Sequence, residues 1–214
     1  MAARAKAKAE SDAVEAEAEA KAKEEADEKK HWPEHKGPCK EAVVTRNSIG
    51  NTIEIVDKRI EEYKRLAEAG NAGAQYNLGL CYYRGTGVTV DLREAFKWFT
   101  QAAEGGDLKA QYSLGICYMK GVGVAVDDDK AFAWIKRSAD AGDSDAQRVL
   151  GGCYSDGIGV DIDNLETIKW FTLAAKAGDT IAQRSLIYCY KTGDGVAIDM
   201  QESNKWYALS VMPR

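Results

Sequence analysis

The sequence has little histidine, little proline, no long apolar run and no excess of positive charge. Its 214 residues include two histidines, at positions 31 and 35, so the rest of the chain cannot assemble a Ser-His or Cys-His nucleophile. No apolar run approaches the roughly 18 residues that a membrane-spanning helix needs. A net charge of −5 gives no electrostatic reason to bind phosphate backbones. These absences favour a non-enzymatic protein that binds other proteins rather than nucleic acid or a membrane interior.

The location of the protein is predicted only coarsely. The N-terminus lacks the apolar segment of a secretory signal, and its acidic residues argue against an organelle transit peptide. We therefore expect a soluble, intracellular protein, with the cytoplasm and the nucleus both left open.

What the sequence does contain is a period of 36 residues. We call a set of positions spaced by 36 a column. The columns include four cysteines, four tryptophans, four tyrosines and two sets of four glycines, beginning at Cys81, Trp98, Tyr82, Gly85 and Gly87. Such self-similarity over four tandem units indicates a repeat architecture.

Each unit has the pattern of two helices. In the first unit Ala74, Leu78 and Cys81 are spaced as one apolar helical face, and Ala95, Trp98 and Phe99 form another. Asn71 and its column are predicted to cap the first helix after a left-handed glycine, and the column of Asp91 to cap the second. One such pair cannot bury both apolar faces alone, so neighbouring pairs must stack into an all-α superhelix, or solenoid.

The pattern from Ala74 to Ala103, Ala-x3-Leu-Gly-x2-Tyr-x2-Gly-x-Gly-Val-x3-Asp-x3-Ala-x2-Trp-Phe-x2-Ala-Ala, resembles the Sel1-like subclass of tetratricopeptide-type repeats. The resemblance implies four repeats over residues 70–214, at about 70–105, 106–141, 142–177 and 178–214. An apolar stripe over 50–69 predicts an N-terminal capping helix. Residues 1–30 form an Ala/Lys/Glu-rich, low-complexity tail that we expect to be disordered or loosely helical.

A short segment between tail and repeats carries candidate metal ligands. His35 and Cys39 lie four residues apart, which would place both on one helical face. Residues 31–40 resemble the C-terminal helix of a MYND-type zinc finger, a module that binds proline-containing peptides. A structural zinc needs four ligands, and no cysteine precedes this segment. We therefore interpret 31–48 as a finger remnant and linker, with true loss and a truncated gene model as alternative causes, and expect no cofactor unless other ligands complete a zinc site.

The repeat cysteines are predicted to be reduced. Each unit has one cysteine, always in its first helix, and packed helices lie about 8–10 Å apart, farther than a disulfide tolerates between Cα atoms. We expect these thiols to serve as small core residues, and the tryptophan column to be a second core stripe.

The resemblance also implies where a partner binds. First helices would line the concave side of the superhelix, so side chains opposite the Leu78 face would be exposed there. The predicted partner-binding residues are Tyr76, Leu80, Tyr83, Tyr112, Ile116, Met119, Arg148, Arg184, Tyr188 and Lys191. The first two repeats supply apolar anchors and the last two supply cations, which predicts a partner segment with an apolar and an acidic portion.

The resulting prediction is a protein-interaction scaffold or adaptor. One alternative is a zinc-assisted, MYND-type regulatory protein with an incomplete finger, and another is a secreted Sel1-like effector or hydrolase. At the C-terminal repeat, Trp206, Tyr207 and Met212 are predicted to leave apolar surface that supports self-association, with fraying of the last helix as the alternative.

Overall fold

The computed structural model describes residues 49–211, with side chains from residue 58 onward. In this range nine helices follow one another and no strand occurs. They are α1 Ile49–Glu68, α2 Ala72–Arg84, α3 Leu92–Glu104, α4 Leu108–Lys120, α5 Asp128–Asp140, α6 Ser144–Asp156, α7 Asn164–Lys176, α8 Thr180–Thr192 and α9 Met200–Val211. The all-α prediction is confirmed for the described residues.

The helices alternate as the period predicts. The first helices of the four repeats are α2, α4, α6 and α8, and the second helices are α3, α5, α7 and α9. Each helix packs mainly on the helices that precede and follow it in the chain, as expected of a stack of hairpins. Helix α1 takes the place of a preceding second helix: Tyr63, Leu66 and Ala67 pack against Ala74 and Leu78 of α2.

Side-chain caps fix the beginning of each helix from α2 to α9. Asn71, Asp107, Asp143 and Asp179 each accept a hydrogen bond from the backbone N–H three residues on, at 2.7–2.8 Å. The column of Asp91 caps the second helices in the same way, at 2.9–3.1 Å. Both predicted sets of caps are confirmed, and the glycines before the first helices have the predicted positive φ, 85–98°.

Within each of the first three repeats, the two helices approach closely because a glycine of the first helix faces a large side chain of the second. A Cβ at Gly79 would lie 2.7 Å from the Phe99 ring, and one at Gly151 would lie 2.6 Å from the Phe171 ring. Such distances are shorter than packed carbon atoms allow. The glycine therefore provides the space that the second-helix side chain fills.

Between repeats, a column of buried glutamines connects each first helix to the helix before it. The side-chain amide nitrogens of Gln75, Gln111, Gln147 and Gln183 donate to the backbone carbonyls of Ala67, Ala103, Ala139 and Ala175, at 3.0–3.3 Å. Buried amides need such partners. The sequence interpretation missed this role, although the glutamines recur every 36 residues.

The loop after each first helix packs on the preceding repeat. A Cβ at Gly123 would overlap the carbonyl oxygen of Leu92 at the beginning of α3, and one at Gly159 would overlap that of Asp128 at the beginning of α5. A Cβ at Gly195 would lie 3.1–3.2 Å from the side chain of Asn164 at the beginning of α7, a looser contact than the other two. Successive loops are therefore joined along one edge of the stack.

The tryptophan column is only partly the core stripe that the sequence predicts. Trp170 and Trp206 are buried, whereas Trp98 and Trp134 are half-buried. A cationic side chain lies over each of the first three rings, as for Arg137, whose guanidinium carbon is 5.4 Å from the Trp134 centroid. In the next column Phe99, Ile135 and Phe171 are buried instead, whereas Tyr207 of the last repeat is exposed.

Candidate functional site

Four of the predicted partner-binding side chains are buried, so the prediction that they are exposed anchors is wrong. Tyr76, Leu80, Tyr112 and Ile116 are 5%, 2%, 1% and 6% exposed. The prediction treated the helix face opposite Leu78 as free, but neighbouring helices cover it as well. The Tyr76 ring, for example, packs on the Phe99 ring of α3, with centroids 5.8 Å apart.

Burial also changes the pKa of the hydroxyl groups of Tyr76 and Tyr112. Burial raises the pKa of Tyr76 far above its usual value and raises the pKa of Tyr112 to about 12, because loss of solvent disfavours the phenolate. Both side chains remain neutral at physiological pH and contribute to the buried packing of the first two repeats.

Arg148 forms ion pairs with two aspartates of the protein itself. Its Nε donates to Asp179 at 3.0 Å and its terminal nitrogen donates to Asp145 at 3.3 Å. Asp179 also caps α8, so this guanidinium ties α6 to the beginning of the next first helix. A partner carboxylate would have to compete with both aspartates. Arg148 is therefore a poor candidate for the acidic clamp that the sequence predicts.

The other predicted residues are accessible to different extents. Tyr83 and Met119 are half-buried, whereas Arg184, Tyr188 and Lys191 on α8 are exposed, Tyr188 by 58%. Within the described range neither Arg184 nor Lys191 forms an ion pair. The predicted surface is thus reduced to its C-terminal half.

A groove in this half provides the apolar contacts that the buried anchors cannot. A cavity of about 290 Å³ lies beside α6 and α8, and its lining includes Met119 of α4, Val149, Gly152, Ile181 and Ser185, with the charged Arg148 and Asp156. Gly152 belongs to the column of Leu80, Ile116 and Tyr188, and a Cβ at this position would meet nothing within 4 Å. The groove exists because this one member of the column has no side chain.

Comparison with protein families decides the identity of the repeats. The Sel1 repeat model matches residues 72–107, 108–143, 144–179 and 181–211, which together make up more than half of the chain. The chain belongs to the Sel1 repeat family.

Two solved structures resemble this Sel1 repeat protein over 71% of its length. A protective antigen of uropathogenic Escherichia coli displaying an SLR fold is 42% identical over 71% of this chain, with a TM-score of 0.68. A Sel1 repeat protein from Oxalobacter formigenes is 35% identical over 71% of this chain, with a TM-score of 0.67. The match spans 32% and 62% of those chains, so it covers less than two thirds of either.

A shorter similarity links this Sel1 repeat protein to a curated relative. The secretory immunoglobulin A-binding protein EsiB of E. coli O6:H1 (strain CFT073) is 41% identical over 61 residues, which are 28% of this chain and 11% of that protein. Sel1 repeat proteins are generally protein-interaction scaffolds. The family therefore supports a scaffold role without naming a partner.

The candidate metal ligands His35 and Cys39 lie outside the described residues. In residues 58–211, no group of three or more His, Cys, Asp or Glu side chains could hold a metal ion. Among the helices described here, none is long and apolar enough to cross a membrane.

The Sel1 repeat cysteines are buried free thiols, as the sequence predicts. Burial raises the pKa of Cys117 and Cys153 to about 12, so at pH 8 both are protonated, and the reactive thiolate is scarce. In a Cys39→Ser background we expect no rapid reaction of the native protein with Ellman's reagent at pH 8, and four reactive thiols in denaturant. Rapid native reaction of two or more thiols would contradict the buried-core assignment.

Proposed function

We propose that this Sel1 repeat protein is a scaffold that binds an extended segment of a partner protein along its first helices. The observation that carries the proposal is the groove at Gly152. One wall of the groove, α8, supplies Ile181 and Ser185 and also presents the exposed Arg184 and Tyr188. A cavity with apolar residues in its lining, beside exposed aromatic and cationic side chains, has the composition of a peptide-binding surface.

The charges around the groove suggest the chemistry of the partner. Arg184 and Lys191 project from α8, and Asp156 lies at the end of α6 on the other wall. A carboxylate of the partner would be attracted toward α8 and repelled from the end of α6. We therefore propose a segment with an apolar side chain in the groove and an acidic residue near Arg184, bound without a cofactor.

Peptides selected from a phage-displayed random library of twelve-residue sequences would test this proposal. Gly152→Leu restores the side chain that Leu80 provides in the first repeat, and should fill the groove. Because this position has open space and glycine is unfavourable within a helix, the variant should fold at least as stably as the wild type. We expect its affinity for selected peptides to fall at least tenfold in fluorescence anisotropy.

The charge part of the proposal has its own variant and control. Arg184→Ala with Lys191→Ala should weaken binding and reduce its salt dependence. Lys136→Ala with Lys176→Ala removes two positive charges from second helices and should leave both unchanged. Wild-type affinity in Gly152→Leu would show that the groove is not the site, and an unaltered salt dependence in the α8 variant would eliminate the acidic portion of the partner.

The predicted self-association through the C-terminal repeat stays a prediction. Tyr207, Leu209 and Val211 of α9 are exposed, whereas Trp206 is buried and Met212 lies outside the described residues. The apolar surface available for such a contact is therefore provided by α9 residues other than the tryptophan.

A further inference from the structure

A row of aliphatic side chains follows the loops between the first and second helices of the repeats. Val90, Val126, Ile162 and Ile198 form one column, and each is 59–65% exposed. Leu92, Leu165 and Met200, in the first turns of the second helices, are exposed beside them. We call these seven residues the loop edge. They make up half of the large hydrophobic residues that are exposed in the described part of the chain.

The loop edge is continuous because successive loops touch. Gly123, three residues before Val126, packs on the carbonyl of Leu92, and Gly159, three residues before Ile162, packs on that of Asp128. The second and third loops are thus seated on the beginning of the preceding second helix. The exposed aliphatic side chains therefore follow one another along a single edge.

Local packing explains only in part why these exposed positions hold aliphatic residues. A Cβ at Gly121, which ends α4, would lie 3.2 Å from the Val126 side chain, and one at Gly157, which ends α6, would lie 3.2 Å from the Ile162 side chain. This contact resembles the hydrophobic contact that often accompanies such helix ends. It covers one side of each residue and leaves most of the surface in solvent.

The charge of the loops indicates what kind of partner would fit the loop edge. The four loops, residues 85–91, 121–127, 157–163 and 193–199, contain six aspartates and no lysine or arginine. Asp127 pairs with Lys130 at 2.7 Å, whereas Asp161 and Asp194 are exposed loop carboxylates. Aliphatic side chains interleaved with carboxylates match a partner that offers apolar and basic side chains, and they would repel an anionic lipid surface or nucleic acid.

We propose that the loop edge is a second protein-binding surface, distinct from the groove at Gly152, and that it takes a basic amphipathic segment of a partner. The segment would lie across the loops, with its apolar side chains on the valine and isoleucine column and its lysines or arginines toward the loop aspartates. Because the column recurs in every repeat, a segment contacting two or more loops gains affinity from each.

A fourteen-residue peptide of leucine and lysine in an amphipathic helical pattern is a suitable probe, with a leucine and glutamate peptide of the same pattern as its counterpart. With the full chain labelled at isoleucine, leucine and valine methyl groups, we expect the lysine peptide to shift the resonances of Val90, Val126, Ile162 and Ile198. Ile162→Ser with Ile198→Ser should lower its affinity at least tenfold. The matched control, Leu173→Ser with Leu209→Ser, removes two exposed leucines elsewhere and should bind as the wild type does.

Four outcomes would overturn the proposal. The glutamate peptide could bind as tightly as the lysine peptide, or the shifts could map to Ile181 and the groove. The affinity could also survive the double isoleucine variant while its thermal unfolding midpoint is unchanged. Retention of the wild type, but not this variant, by phosphatidylcholine vesicles would assign the loop edge to membranes instead. None of these results would contradict the groove proposal, which Gly152→Leu tests separately.

Discussion

Gly123→Ala is expected to destabilise the protein by about 3 kcal/mol or more. Gly123 has φ +71°, a conformation that costs other residues energy, and its Cβ would overlap the carbonyl oxygen of Leu92. The obstacle is backbone at the beginning of α3, which cannot rotate away as a side chain can. Relief would require the loop to move off the preceding repeat. Urea denaturation followed by circular dichroism measures the loss.

Gly142→Ala separates the two causes of this effect. Gly142 also has a positive φ, +95°, but a Cβ there would meet nothing within 4 Å. It should therefore cost only the conformational penalty, about 1–2 kcal/mol. If both variants lost the same stability, the contact between loop and preceding repeat would contribute nothing, and the continuity of the loop edge would lose its support.

The sequence predicts the helices and their caps well because each depends on a few neighbouring residues. Asp107, for example, precedes an apolar helical stripe and follows a glycine, and these local features alone specify a helix beginning. The stacking also follows from the sequence, since a helix pair that recurs every 36 residues must bury its second apolar face on a neighbour.

The candidate site was harder to predict because exposure depends on the packing between repeats. Tyr76 and Arg184 occupy the same column, yet the first is buried and the second exposed. A helical wheel assigns both to one face but cannot say how closely the adjacent first helices cover that face. The groove has a signal in the sequence, namely a glycine at Gly152 where the column otherwise has Leu80, Ile116 and Tyr188. Its meaning is clear only once the space beside that glycine is seen to be open.

Exposure at the loop edge could not be predicted from the sequence either. The column of Val90 is as regular as the core columns, and a periodic aliphatic residue is usually assigned to the core. The four residues are nevertheless exposed, because they lie between the positive-φ glycines of the loop and the aspartate that caps the next helix. Periodicity thus identifies equivalent positions, and packing alone decides whether they face the core or solvent.

Residues at equivalent positions of different repeats are also expected to contribute unequally to the free energy of unfolding. Comparison of the single variants Phe99→Ala and Tyr207→Ala tests this. Both residues belong to the column that follows the tryptophans, but Phe99 is fully buried and Tyr207 is 59% exposed. Truncation of Phe99 leaves a cavity beside Gly79 and Tyr76 and should cost about 3–5 kcal/mol. Truncation of Tyr207 should change the free energy of unfolding by about 0.5 kcal/mol or less.

Phe99→Leu keeps the comparison informative if the alanine variant does not fold. Leucine retains most of the buried volume, so the loss should be below about 1.5 kcal/mol, still larger than that of Tyr207→Ala. Chemical denaturation of the three variants gives the ranking. A cost for Tyr207→Ala that matches Phe99→Ala would mean that α9 is covered in solution, as by a second copy of the chain, and a concentration-dependent unfolding midpoint would then identify that contact. Without such a contact, a residue of this column should contribute more to stability in a repeat that has a neighbour on both sides than in the last repeat. This is the expected behaviour of a stack in which each repeat contacts only its neighbours.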